Sequence, residues 1–136
     1  MGVGALAVRH HVTSAAVVRH HIADDLAGNA VARDSIDDVV LVASELVGNA
    51  VVHTGPDTAE DLHAAEDLDV RWEIEPGAVV VRVTDPSGQL PEPRAAEAGR
   101  TGGRGLAIVA AIATDWGVQR WRRGKEVWAR VPIQRA

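Results

Sequence analysis

The stretch VVLVASELVGNAVVH, from Val39 to His53, decides how this chain folds. Projected at about 100° per residue, Ile36, Val39, Val40, Ala43, Leu46, Val47 and Ala50 fall on one face, which predicts a helix with that face in the core. Asp34-Ser35 is its start signal, with Ser35 and Asp38 forming a variant capping box. Gly55-Pro56 stops it near Val52. On the other side Glu45, Asn49 and His53 recur every fourth residue, in one row whose members lie about 40° apart. Leu41, Val42, Gly48 and Val52 project beside that row, so the polar groups are set among apolar ones. A carboxylate taken out of water needs a cation, a donor or a bound water beside it. Asn49 offers a hard amide oxygen of the kind that suits Mg²⁺. The same spacing also fits a solvent-facing helix edge, with His53 a C-terminal residue favoured by the helix dipole.

Upstream, Thr13 or Ser14 caps a helix through Ala15, Val18, Ile22 and Leu26, ended by Gly28-Asn29, and Ala5 to Val8 is a short first strand. Downstream, the acidic segment Asp57 to Asp67 reads as a surface connection. Asp69–Ile74 and Ala78–Asp85 are then adjacent antiparallel strands across a Pro76-Gly77 turn. Pro86 to Gly103 is an irregular stretch of the kind used as a functional lid. A third helix is expected to start near Gly105 and to carry Leu106, Ile108, Val109 and Ile112. Trp116–Trp121 and Lys125–Ile133 form a closing hairpin through Arg122, Arg123 and Gly124. Helices and strands cluster rather than alternate, which predicts a two-layer α/β sandwich, a mixed and mostly antiparallel sheet covered on one face by about three helices.

Two further places carry chemistry. Asp85 ends a β-branched run and meets Pro86-Ser87-Gly88, where a fixed carboxylate can accept a hydrogen bond from an amino group, or simply cap the turn. At Gly102-Gly103-Arg104-Gly105-Leu106 the glycines allow close backbone approach, and a helix start with Arg104 beside it attracts phosphate. Neither the P-loop nor the dinucleotide fingerprint fits: Gly117 to Gly124-Lys125 has too many intervening residues, and no strand leads into Gly103.

Composition limits the rest. The 136 residues suffice for one domain, 1–136, and 46 % hydrophobic content can fill one core. A formal charge of −5 leaves no cationic excess for a phosphate backbone, so direct nucleic-acid binding is not expected. No cysteine is present, which removes disulfides and thiolate metal sites and fits a cytoplasmic setting. No apolar run approaches the roughly 20 residues of a membrane span. Arginine supplies thirteen of the fourteen basic residues, a bias read as genomic base composition. The pairs His10-His11 and His20-His21 do not converge on one ion, because adjacent helical residues point about 100° apart.

Taken in order, ELVGNAVVH (Glu45 to His53), VTDPSGQLP (Val83 to Pro91), GGRGLAIV (Gly102 to Val109), DWGV (Asp115 to Val118) and GKEVWARVP (Gly124 to Pro132) resemble the GHKL ATPase superfamily with its Bergerat fold, and within it the short anti-sigma-factor serine kinases. The resemblance covers about residues 10 to 133. It implies ATP and Mg²⁺ as cofactors, with Asn49 on the metal, Glu45 as general base, Asp85 on the adenine amine and Gly88 beneath the base. Gly103, Arg104, Gly105 and Leu106 would hold the phosphates. It implies phosphorylation of a serine on an anti-anti-sigma (STAS-type) protein and sequestration of a sigma factor, and relatives of this kind are often homodimers. The alternative is a non-catalytic ATP-binding module that captures a regulatory partner. Ser87 stands where the usual glycine box has Gly, and Glu126 where some relatives carry a small hydroxyl residue near the adenine.

Overall fold

The structure, a computed structural model, describes residues 2–8, 13–54, 68–85, 101–121 and 124–136. The elements in chain order are β1 (Val3–Val8), α1 (Ser14–Gly28), α2 (Arg33–Thr54), β2 (Leu68–Glu75), β3 (Ala78–Asp85), α3 (Thr101–Ile112), β4 (Asp115–Trp121) and β5 (Gly124–Pro132). The five strands form one sheet in the order β1-β2-β3-β5-β4, and all four pairings are antiparallel. With the helical layer this is the α+β sandwich expected, though no pair of described strands is parallel.

The sheet's sidedness comes from period-two patterning. In β2 the residues Leu68, Val70, Trp72 and Ile74 are buried, while Arg71 and Glu73 between them are exposed. This is the alternation of an antiparallel strand with one covered face. Val79, Val81 and Val83 of β3 and Ala129 and Val131 of β5 continue the covered face. α2 packs on β2, β3 and β5, with α1 on one flank and α3 on the other. Between them Val18, Ile22, Leu26, Val39, Leu46 and Val47 fill the core. Gly77 takes φ 80 in the two-residue β2–β3 turn, where Pro76 supplies the preceding fixed φ.

The helix start at Asp34-Ser35 is built differently from the capping box. α2 begins at Arg33, and the Ile36 amide donates to the Ala32 carbonyl at 2.9 Å, so Ser35 already lies in the first turn. The buried Ser35 hydroxyl instead accepts from the Gln134 amide at 2.8 Å, and the Ala32 amide donates to the Gln134 carbonyl at 2.8 Å. Ala136 donates to Ala30, so residues 134–136 run along the chain that enters α2 and satisfy its backbone.

α2 is also buried over a wider arc than one amphipathic face. Val42, three residues before Glu45 and so beside the polar row, is fully buried, because α1 and α3 flank a central helix that already sits on the sheet. One tie between layers escaped the sequence reading. The Trp72 indole donates to Asp25 Oδ2 of α1 at 2.7 Å, and its ring lies over Gly4, its register partner in β1, where a Cβ would fall inside the indole. Glycine is required there by that close approach.

The other face of the sheet carries ion pairs beside the buried Val80 and the partly buried Trp128. Arg82 pairs with Glu126, Arg130 with Glu75 and Arg71 with Asp69. Trp128 packs over Gly117, whose added Cβ would lie 3.0 Å from the indole nitrogen.

Candidate functional site

α2 touches both β3 and α3, so the polar row of one helix, the end of a strand and the start of another helix are brought to neighbouring elements. Glu45 and Asn49 are both partly buried on the second half of α2. Ser44 beside them accepts from Arg19 of α1 at 3.0 Å. Between Glu45 and Asn49, a Cβ added to Gly48 would meet no described atom within 4 Å. A glycine in a helix interior costs about 1 kcal/mol relative to Ala, and no described neighbour requires it to be small. Among the described residues, the surface next to Asn49 is therefore open. The side chain of His53 lies outside the described residues.

Asp85 ends β3 with only 1 % of its surface exposed, on the helix-covered face shared with Val81 and Val83. A carboxylate held there, next to the apolar row of Val83 and Val81, is an acceptor of the kind a ligand amino group can meet. Gly88 and most of the expected lid, residues 86–100, lie outside the described residues, as does the acidic segment 57–67.

The start of the third helix is shifted. α3 begins at Thr101, four residues before the expected Gly105. The amides left unpaired by an α-helix belong to its first turn, so those of Thr101, Gly102 and Gly103 are the outward ones, and Gly105 and Leu106 sit in the second turn. Three glycines in five residues argue locally against helix. Packing of α3 on α2 overrides them.

A residue that sequence reading passed over stands across from Asp85. In the β3–β5 register Asp85 faces Lys125, and in the β4–β5 register Lys125 faces Arg120. Burial lowers the Lys125 pKa below the usual 10.5, the Asp85 charge opposes that, and Arg120 adds to it. Glu126, by contrast, lies on the solvent face. Its carboxylate takes Arg82 at 3.2 Å and the Thr84 hydroxyl at 3.3 Å, on the opposite side of the sheet from Asp85. Alternation along β5, counted from the Asp85 pairing, is the signal that identifies Lys125.

No group of three or more His, Cys, Asp or Glu among the described residues could hold a metal. His20 and His21 are exposed, with rings edge to face at 6.2 Å, and His20 lies 3.3 Å from Asp24. His10 and His11 lie outside the described residues.

The family model described as the histidine kinase-like ATPase domain matches residues 8–131. This chain belongs to the histidine kinase-like ATPase family. Its fold agrees with solved structures of the RsbU and RsbW domains of Rv1364c from Mycobacterium tuberculosis (TM-score 0.73, 20 % identity, covering 100 % of this chain and 34 % of that one). It also agrees with the SiaB-SiaC complex from Pseudomonas aeruginosa (TM-score 0.65, 15 % identity, 94 % and 88 %). A histidine kinase domain from the Erythrobacter litoralis EL346 blue-light activated histidine kinase is more distant (TM-score 0.54, 23 % identity, 73 % and 45 %). This chain thus spans about a third of the Mycobacterium protein. No curated protein matches it. Membership of an ATPase-type family implies a nucleotide as ligand, and no described helix is long and apolar enough to cross a membrane.

Proposed function

We propose that this protein binds Mg²⁺-ATP and is a protein-serine kinase of the anti-sigma type, which phosphorylates a serine of an anti-anti-sigma protein and alternately sequesters a sigma factor. The observation that carries the nucleotide reading is Asp85, a buried carboxylate closing β3 beneath α2 in a chain of the histidine kinase-like ATPase family. Its oxygen accepts from the 6-amino group of adenine, and Gly88 is the residue that the sequence resemblance assigns to the base as well. The first turn of α3, with Gly103 and Arg104, holds the phosphates, and Gly105 and Leu106 set the helix against them. The Asn49 oxygen ligates the metal. Bound Mg²⁺-ATP supplies the phosphoryl group and the charge neutralisation. Glu45 orients the attacking serine and takes its proton as the new O–P bond forms and the bond to the leaving ADP breaks. Positioning and charge do most of this work, so few side chains suffice.

The partner assignment draws on the sequence resemblance and on fold likeness to RsbW and SiaB, the latter solved together with a second protein, SiaC. The setting is cytoplasmic in this reading. Labelled ATP incubated with the chain and each candidate STAS-type protein is expected to give label on one serine of one of them, and no transfer to any would overturn the kinase assignment. Calorimetry of Asp85→Asn, which turns an acceptor-only group into one that presents a donor, tests the nucleotide site separately. ATP affinity is expected to fall by about a hundredfold or more, the cost of leaving a buried polar partner mismatched. Full affinity in that variant contradicts the adenine assignment.

A further inference from the structure

We propose that Lys125, the only lysine in the chain, reads the purine in this site: its ammonium donates to ring nitrogen N1 while the Asp85 carboxylate accepts from the 6-amino group. The proposal rests on the ATP reading above and adds the second half of base recognition.

Residues directly opposite on antiparallel strands share a face, with Cβ atoms about 4.5–5.5 Å apart. Asp85, Lys125 and Arg120 are such partners across β3, β5 and β4, and so form one row at the end of the sheet on its helix-covered side. The next row inward is Val83, Val127 and Val118. Exposure rises along the row: Asp85 is buried, Lys125 partly buried and Arg120 exposed on the edge strand. Lys125 is therefore the cation directly across from the carboxylate, with Arg120 one strand farther out.

The Watson–Crick edge of adenine presents a donor, the 6-amino group, beside an acceptor, N1. A carboxylate alone answers only the donor. A carboxylate beside an ammonium answers both, and distinguishes adenine from a purine lacking either group. Residue choice supports this. Thirteen of the fourteen basic residues are arginine, and the one lysine falls at this position. Guanidinium presents a rigid planar fork matched to carboxylate or phosphate, whereas an ammonium on a four-carbon stem is a compact point donor that fits a single ring nitrogen. Burial also lowers the Lys125 pKa, so its surroundings are poor in water, where a hydrogen bond to a ligand is strengthened. The plain structural role, a counter-charge for Asp85, makes a different forecast. Loss of a counter-charge weakens every nucleotide alike, with no sensitivity to N1.

The experiment is calorimetry of the full chain with Mg²⁺-ATP and with Mg²⁺-1-deaza-ATP, in which a C–H replaces N1, on the wild type and on Lys125→Met. The wild type is expected to prefer ATP by about tenfold or more, the value of one charge-assisted hydrogen bond, and Lys125→Met to bind the two alike. A wild type that binds both equally, or a preference that survives in Lys125→Met, overturns the lysine assignment and leaves the ATP reading standing. A wild type that binds no ATP overturns both. Should Lys125→Met fail to fold, wild-type protection decides. With one lysine in the chain, modification by trinitrobenzenesulfonate is placed unambiguously by peptide mass. Mg²⁺-ATP is expected to slow it severalfold while Mg²⁺-triphosphate does not, and equal rates in all three conditions refute the contact.

Discussion

Replacing Gly4 by Ala tests how the sheet is tied to its helices. The added Cβ would fall within the indole of Trp72, among atoms of the five-membered and benzene rings rather than the end of a flexible chain. Trp72 is 4 % exposed and its Nε1 is held by Asp25 at 2.7 Å, so the ring has nowhere to go without giving up that bond. Overpacking of this kind costs about 1–3 kcal/mol, and a hydrogen bond to a carboxylate contributes about 1.5–3 kcal/mol. Together these come to about 2.5–6 kcal/mol, a large part of the roughly 5–15 kcal/mol that holds a domain folded. At a few degrees per kcal/mol for a chain of this size, the melting temperature is expected to drop by about 10–20 °C. Thermal and urea unfolding followed by far-UV circular dichroism measures it without relying on Trp fluorescence. The control is Trp72→Leu, in whose background Gly4→Ala is expected to cost less than about 1 kcal/mol, because the pair's coupling has been removed. A Gly4→Ala protein that melts with the wild type refutes the placement of the indole over β1 and the register that produces it.

Three other outcomes follow from the site. Glu45→Gln is expected to keep ATP affinity while phosphoryl transfer to the protein substrate falls by about a hundredfold or more, the usual worth of a general base, and unchanged transfer in a single-turnover assay removes Glu45 from the mechanism. Glu126→Gln is expected to leave ATP affinity within about twofold and to cost at most about 1 kcal/mol of stability, as for a partly exposed ion pair. A large affinity change by calorimetry would mean that β5 is turned over relative to the register given above. The third concerns pH. The folded pKa of Lys125 lies below 10.5, so between those two values the unfolded chain binds the extra proton and stability must rise with pH. Wild type is therefore expected to gain on Lys125→Met in urea midpoints as pH climbs through that window, with no such drift below it. A constant difference up to pH 10.5 contradicts the buried position of Lys125 between Asp85 and Arg120.

What could be read from residues alone was what local pattern determines. The α2 core face was legible because Val39, Ala43, Leu46, Val47 and Ala50 repeat with helical period and tertiary burial agrees with them. The β2–β3 hairpin was legible because Pro76-Gly77 marks a turn between alternating runs. Features set by distant chain were not. Ser35 looks like a cap to its own helix, yet Gln134, ninety-nine residues away, takes its hydroxyl. Val42 is a neighbour of the polar row, and its full burial comes from α1 and α3 at the sides of α2, which no local pattern announces. Gly4 carries no local signal at all, since the reason for it is the ring of Trp72 on the next strand.

The same distinction governs the base end of the site. Asp85 could be singled out from position alone, because a strand end before Pro86-Ser87-Gly88 is a local feature. Its opposite number could not. Neighbouring residues of a strand point to opposite faces, so a shift of one position exchanges the buried set for the exposed set. Lys125 and Glu126 are adjacent in sequence and opposite in sign. Which of them meets Asp85 determines whether the pocket holds a carboxylate beside a carboxylate, which would repel and desolvate both, or a carboxylate beside an ammonium. Pairing of Ala129 with Val81 and of Val131 with Val79, all four buried, sets the parity of β5, and that parity carries Lys125 to the helix side and Glu126 to Arg82. Core packing several residues away thus selects the charge that stands opposite Asp85. A one-residue insertion in β5 between Glu126 and Val127 would bring Glu126 opposite Asp85 and turn Lys125 to the other face, and ATP affinity is expected to be lost even though every residue named in the site is still present.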